Sequence, residues 1–241
     1  MEKTKTAIVF GATSGIGKAL TELLVKDNYK VAITGRRIEK LEAIKKEFPN
    51  QVLVKQNDIQ QIEEVEKVFH EIVEEFGTID LIVQSSGVGF VNSELDWSKE
   101  NETIQTNVVG VTKLYDLAYN LFRKQGFGHL VGISSIASLR GNRAAPAYFA
   151  SKAYQKAYLE SLYIKTKTAK NVFVTDIRPG FVDTAMALGD GIFWMVSLEK
   201  ATKQIYSAIK KKRRVAYISK RWRLIAWVLK LVPSWMLKMA I

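Results

Sequence analysis

A chain of 241 residues with 47% hydrophobic residues can bury one substantial core, and no linker-like stretch or solenoid-length repeat divides it. It contains no cysteine, which excludes disulfides, thiol catalysis and thiolate metal sites, and with only His70 and His129 as imidazoles no metal site is expected. The formal net charge of +12 lies wholly at the end: from Lys200 onward there are 12 Lys and Arg and no acid, leaving 24 of each sign before it.

The opening Met-Glu-Lys-Thr-Lys-Thr holds no apolar run, so no signal peptide and a cytoplasmic location are expected. Short apolar runs then predict strands at 7–10, 31–34, 52–55, 81–84, 130–134, 172–177 and 215–218. Amphipathic stretches between them predict helices at 18–26, 38–47, 62–76, 101–122, 147–168 and 198–210. Fully apolar strands alternating with helices imply a sheet buried on both faces. The expected fold is therefore α/β: a Rossmann-like, doubly wound sheet of about seven parallel strands with helices on both faces. Residues 1–219 are expected to form one dinucleotide-binding catalytic domain, with 220–241 as its basic, Trp-rich extension.

Two patterns carry chemistry. Gly11-Ala-Thr-Ser-Gly15-Ile-Gly17 follows the first strand and precedes the first helix. Glycines there permit a tight turn and close approach of a pyrophosphate to the amides at a helix start. The spacing is neither Gly-x-Gly-x-x-Gly nor a Walker A loop. Further on, Tyr148 and Lys152 stand in Tyr-Phe-Ala-Ser-Lys, which on a helix places phenol and ammonium on one face. A tyrosine titrates near ~10, so a nearby cation that favours phenolate is expected to bring it into proton exchange at neutral pH.

With Ser135 thirteen residues before Tyr148, these motifs resemble, in order and over residues 5 to about 218, those of the short-chain dehydrogenase/reductase family. The resemblance implies carbonyl/alcohol redox with a nicotinamide cofactor. Gly11, Gly15 and Gly17 match its cofactor glycines, with Thr13, Ser14 and Ile16 in the same turn. Asp58 matches an acid near the adenine, and Gly87 a glycine that lets the backbone approach the cofactor. Pro179, Gly180, Val182 and Thr184 match a loop at the nicotinamide carboxamide. Asn107 matches an asparagine associated with a proton-relay water linking the lysine to solvent. Ser135 matches the serine that bonds the substrate oxygen, and Tyr148 and Lys152 the catalytic pair, with the lysine also on the ribose. One segment departs: Gln84-Ser85-Ser86-Gly87 stands where the family usually has Asn-Asn-Ala-Gly, so contacts to the neighbouring strand must differ. A dimer or tetramer is the family's usual assembly.

Cofactor choice is read at Gly35-Arg36-Arg37, after the second strand. An acid that would repel a 2′-phosphate is missing and Arg36 offers a cationic fork, with Arg37 beside it, so NADPH is expected ahead of NADH. The tail gives a second message. Trp222, Trp227 and Trp235 flank an apolar surface beside a stripe of Arg223, Lys230, Ser234 and Lys238, a pattern suited to a helix lying on an anionic bilayer at the inner face of the membrane. The same surface also suits a core closure, a homo-oligomer contact or a substrate lid. No nucleic-acid reading motif accompanies the basic run. The alternative to a reductase, whose substrate on this reading is a keto lipid or prenyl-linked ketosugar, is a non-catalytic NAD(P)-binding scaffold using the tail for a membrane or partner.

Overall fold

A computed structural model describes residues 4–184, 194–233, 235, 236 and 238. Strands β1 (Thr6–Phe10), β2 (Lys30–Gly35), β3 (Val52–Gln56), β4 (Leu81–Gln84), β5 (Gly128–Ile133), β6 (Val172–Pro179) and β7 (Val215–Ile218) form one sheet in the order β3-β2-β1-β4-β5-β6-β7. Every pairing is parallel. The helices are α1 (Gly15–Lys26), α2 (Ile38–Glu47), α3 (Ile62–Phe76), α4 (Trp97–Ile104), α5 (Val111–Gln125), α6 (Pro146–Lys165), α7 (Leu198–Lys210) and α8 (Trp222–Leu231).

The period of two along each strand builds two cores. Ala7 and Val9 of β1 pack with Leu20 of α1, Leu41 of α2 and Ile205 of α7. Their neighbours Ile8 and Phe10 face the other way, onto Phe69 of α3, Leu114 of α5 and Leu159 of α6. Both faces of the sheet are thus covered, which is why its strands read as apolar throughout. The strand order reverses between β1 and β4, and the crevice at the carboxyl ends beside that reversal is where such sheets bind ligands.

Two expectations need correction. The helix expected over 101–122 is α4 and α5 joined by a π-helical segment, Gln105–Gly110. At its end the Ile59 carbonyl oxygen comes so near Gly110 that a Cβ there would lie 2.2 Å from it. Sequence periodicity carries no trace of that approach, and π segments of this kind occur often at functional sites.

The tail differs as well. Trp222 does not join the exposed apolar surface; it is 2% exposed, and a Cβ on Gly180 would fall 2.1 Å from its indole. Phe181 and Trp194 meet the same ring edge-on at 5.5 and 6.5 Å. Arg140, just beyond the 3-10 turn Ile136–Leu139, donates from Nε to the Leu229 carbonyl (2.6 Å) and from Nη2 to those of Lys230 (3.0 Å) and Val232 (2.8 Å). Carbonyls at a helix end lack intrahelical partners, and a guanidinium there also meets the negative end of the helix dipole. The tail is therefore fastened to the carboxyl edge of the sheet. Ser234 lies outside the described residues, as does 185–193. No helix among the described residues is long and apolar enough to cross a membrane.

Candidate active site

The turn after β1 is shaped by close backbone approaches. Gly11 has φ +83°, and a Cβ on it would lie 2.5 Å from the Ser86 amide nitrogen, while one on Gly17 would lie 2.2 Å from the Gly11 carbonyl oxygen. Neither position tolerates a side chain without moving backbone. Ser14 precedes α1 and makes no side-chain cap bond to it, so its hydroxyl is free to accept from Arg37 Nη2 at 3.0 Å, alongside Thr13 Oγ1 at 2.6 Å. Ile16 packs on the core behind the turn. Thr184 stands opposite, its methyl 3.5 Å from where a Gly15 Cβ would be. Pro179 ends β6, and Val182 bridges to Val196.

The two arginines diverge. Arg37 reaches the glycine turn, whereas Arg36 Nη1 lies 3.9 Å from Glu102. The cation at the turn is thus Arg37 and not the expected Arg36. Gly35 matters for space: a Cβ there would come 2.6 Å from the Thr13 methyl. Asp58 follows β3, with Oδ1 accepting from the Gln60 amide at 3.1 Å.

The remaining residues converge at the ends of β4, β5 and β6. Ser135 is buried; its Oγ accepts from the Ala137 amide at 3.1 Å and lies 3.5 Å from the Pro179 carbonyl oxygen. Tyr148 and Lys152 share one face of α6, with Nζ 5.9 Å from the tyrosine ring centroid. Asn107, wholly buried in the π segment, grips the backbone of Val88 both ways: Nδ2 donates to its carbonyl (2.7 Å) and Oδ1 accepts from its amide (2.9 Å). Nδ2 also donates to Ser151 Oγ at 3.1 Å. A Cβ on Gly87 would sit 3.3 Å from Asn107 Oδ1 and 3.6 Å from Lys152 Nζ. Gln84 turns its amide onto the Ser86 carbonyl and accepts from Tyr115, so the departing segment secures its own loop.

A profile of the short chain dehydrogenase family matches residues 5–190. The chain belongs to the short-chain dehydrogenase family. It is 33% identical over 200 residues to carbonyl reductase family member 4 of Xenopus tropicalis, covering 81% of this chain and 84% of that protein. An uncharacterized oxidoreductase of Myxococcus xanthus is 32% identical over 187 residues, covering 76% and 74%. Among solved structures, the alcohol dehydrogenase of Thermococcus sibiricus, complexed with 5-hydroxy-NADP, superposes with a TM-score of 0.79 at 25% identity over 90% of this chain and 95% of its own.

In this short-chain dehydrogenase the electrostatics differ from the expectation for the pair. Burial pushes the Tyr148 phenol up, and its hydrogen bond with Ser135 only partly opposes this, so the group stands protonated. Burial pushes Lys152 down to about 8, against the pull of Asp176. Asp176 is tied up in turn: it accepts from Arg178 Nη2 at 2.6 Å and from Ser134 Oγ. The two histidines play no part here. His129 is buried against Thr175 Oγ1 (2.7 Å) and pushed down to about 4 by burial, while His70 is exposed.

Sequence reasoning missed Gln155. It is wholly buried, with Oε1 accepting from Lys152 Nζ at 3.0 Å and Nε2 donating to the Asn107 carbonyl at 2.8 Å. Its side chain thus joins the lysine directly to the Asn107 backbone. One signal was present: positions 148, 152 and 155 share a helix face.

Proposed function

We propose that this chain is an NADPH-dependent reductase of aldehydes or ketones. The carrying observation is the convergence of the buried Ser135 and Lys152 with the half-buried Tyr148 beside a glycine turn that ends at a cation. The residues fit the cofactor. Gly11 and Gly17 draw the turn tight on its own and the Ser86 backbone, so that the amides at the start of α1 could meet a pyrophosphate; Asp58 would stand on the adenine side, Lys152 would hold the ribose, and Pro179, Gly180, Val182 and Thr184 would border the nicotinamide. When bound, the reduced nicotinamide supplies hydride to the carbonyl carbon. Ser135 donates to the carbonyl oxygen and orients it. Tyr148, held protonated by burial, delivers the proton to that oxygen, and Lys152 stabilises the phenolate left behind. Asn107 holds the Val88 backbone that walls the lysine.

The fold alone does not choose between cofactors, since the similarly folded 3-ketoacyl-(acyl-carrier-protein) reductase of Brucella melitensis is complexed with NADH. Arg37 chooses. Its guanidinium, now on Thr13 and Ser14, is a ready partner for a 2′-phosphate. Arg37→Ala should lower kcat/KM for NADPH by about ten- to a hundredfold with little change for NADH, the loss of one charge-assisted contact of about 1.5–3 kcal/mol. An unchanged ratio of the two efficiencies would place phosphate recognition elsewhere. Activity itself is tested by following NADPH oxidation against ketones, aldehydes, 3-keto lipids and prenyl-linked ketosugars; no turnover on any of them would defeat the reductase reading.

The substrate is read as lipophilic, met at an anionic bilayer on the inner membrane face. Leu224, Trp227, Val228 and Leu231 are all exposed, and their spacing makes one apolar stripe on α8, opposite the docked Trp222 and Ala226. Lys220, Arg221, Arg223 and Lys230 rim it with no acid among them. Each basic residue near an anionic surface contributes about 1 kcal/mol. A second copy of the same face would bring these cations together, so the dimer or tetramer usual in the family is assigned to other surfaces. Binding to anionic vesicles should exceed binding to neutral ones, weaken in high salt, and fall severalfold in Trp227→Ser/Leu231→Ser. Equal sedimentation with both vesicle types would remove the bilayer from the proposal.

A further inference from the structure

Lys152 is buried, and a buried ammonium is held only by the acceptors around it. Nζ donates to two neutral carbonyl oxygens, that of Ile133 at 3.0 Å and Oε1 of Gln155 at 3.0 Å. Lysine has three protons to give, and among the described residues the third has no hydrogen-bond acceptor, so it remains for a ligand. Gln155 is fixed at its other end by the Asn107 carbonyl, 2.8 Å from Nε2. Asn107 in turn is fixed by Val88 and Ser151, and Ser151 Oγ donates to the Tyr148 carbonyl at 2.7 Å. A carboxamide can accept at one end and donate at the other without adding charge, and here both ends are satisfied, as burial requires.

We propose that Gln155 is a positioning residue: it aims the buried Lys152 ammonium, keeps it protonated, and ties it to the π segment that carries Asn107. This rests on the reading of Lys152 as part of the reductase site. The other groups that face Lys152 are Tyr148 on the same helix and Asp176 on β6, which is paired with Arg178 and also feels the charge of Lys156. Neither makes a hydrogen bond to Nζ, so replacing Gln155 removes one of its two acceptors and leaves the nearby charges in place.

The test needs no cofactor. In protein carrying 13Cε-labelled lysine, one resonance should titrate near 8, well apart from ordinary lysines near ~10.4, and be lost in Lys152→Arg. Gln155→Met keeps the length of the side chain but neither accepts nor donates comparably; its titration midpoint should fall by about one unit, because the charged form loses a hydrogen bond. Gln155→Glu restores an acceptor with charge, and the midpoint should rise by one unit or more. The alkaline limit of reductase activity should move with the midpoint in both variants. Unchanged midpoints in folded variants overturn the proposal. If Gln155→Met does not fold, the direction in Gln155→Glu decides. Failure of the reductase reading would look different: midpoints that shift as stated in a protein with no carbonyl turnover.

Discussion

Tyr148→Phe should reduce carbonyl turnover by about a hundredfold or more, the size of a lost general acid, while leaving NADPH binding near that of the unchanged protein. The phenol is held protonated beside Ser135, since burial holds it up and only the serine hydrogen bond pulls it down. Removing its oxygen takes the proton donor away and leaves the ring in place. The pH profile of the unchanged protein belongs to the same argument. Lys152 stands at about 8 because burial disfavours its charge, so as pH rises through that value the ammonium is lost and with it the field that stabilises phenolate. Tyr148, pushed the opposite way by burial, keeps its proton over that window. Reductive turnover should therefore decline above about pH 8. Stopped-flow rates with bound NADPH and a cofactor titration by fluorescence measure both parts. A Tyr148→Phe variant within threefold of the unchanged rate, an outcome far from the ~10²–10⁴ carried by general acids, would falsify the assignment.

The second large effect is expected in stability. Trp222→Ala should cost about 3–5 kcal/mol, as for other buried tryptophans truncated to alanine. The indole fills the space left by Gly180, with Phe181 and Trp194 at its edges. Its loss opens a cavity where α8 joins the carboxyl edge of the sheet. Arg140 would still hold the far end of that helix through three carbonyls. Denaturant unfolding should show the loss, and KM for a carbonyl substrate should rise because the wall beside Pro179 to Thr184 loosens. A change below about 1 kcal/mol, the usual effect at an undistinguished site, would mean that the tail is not packed as described.

Much of the fold was legible because its signals are local. Strand β4 at Leu81–Gln84, strand β7 at Val215–Ile218 and helices α2, α3 and α7 begin and end where apolar periodicity changes. The glycine turn and the Tyr148/Lys152 pair were legible for a related reason: each is a short constellation whose spacing on one turn or one helix face already fixes the geometry. What the sequence alone determined is thus the parallel α/β sheet, the family, and the cluster of Ser135, Tyr148 and Lys152 at the strand ends.

The tertiary structure decided what depends on residues far apart in the chain. Sequence reasoning put Arg36 ahead of Arg37; only the fold sends Arg37 to Thr13 and Ser14 and Arg36 toward Glu102. Gly110, which ends the π segment that carries Asn107, lies against the backbone of Ile59, remote in sequence, where a Cβ would have no room. Trp222 looks like Trp227 in composition, yet one is buried and the other exposed, because Gly180 offers a hollow to the first. Gln155 resembles a surface helix residue until Lys152 and Asn107 are brought against it. Local periodicity reports which face of an element is apolar; which partner meets that face, and which charge goes unscreened, is set by packing between distant segments.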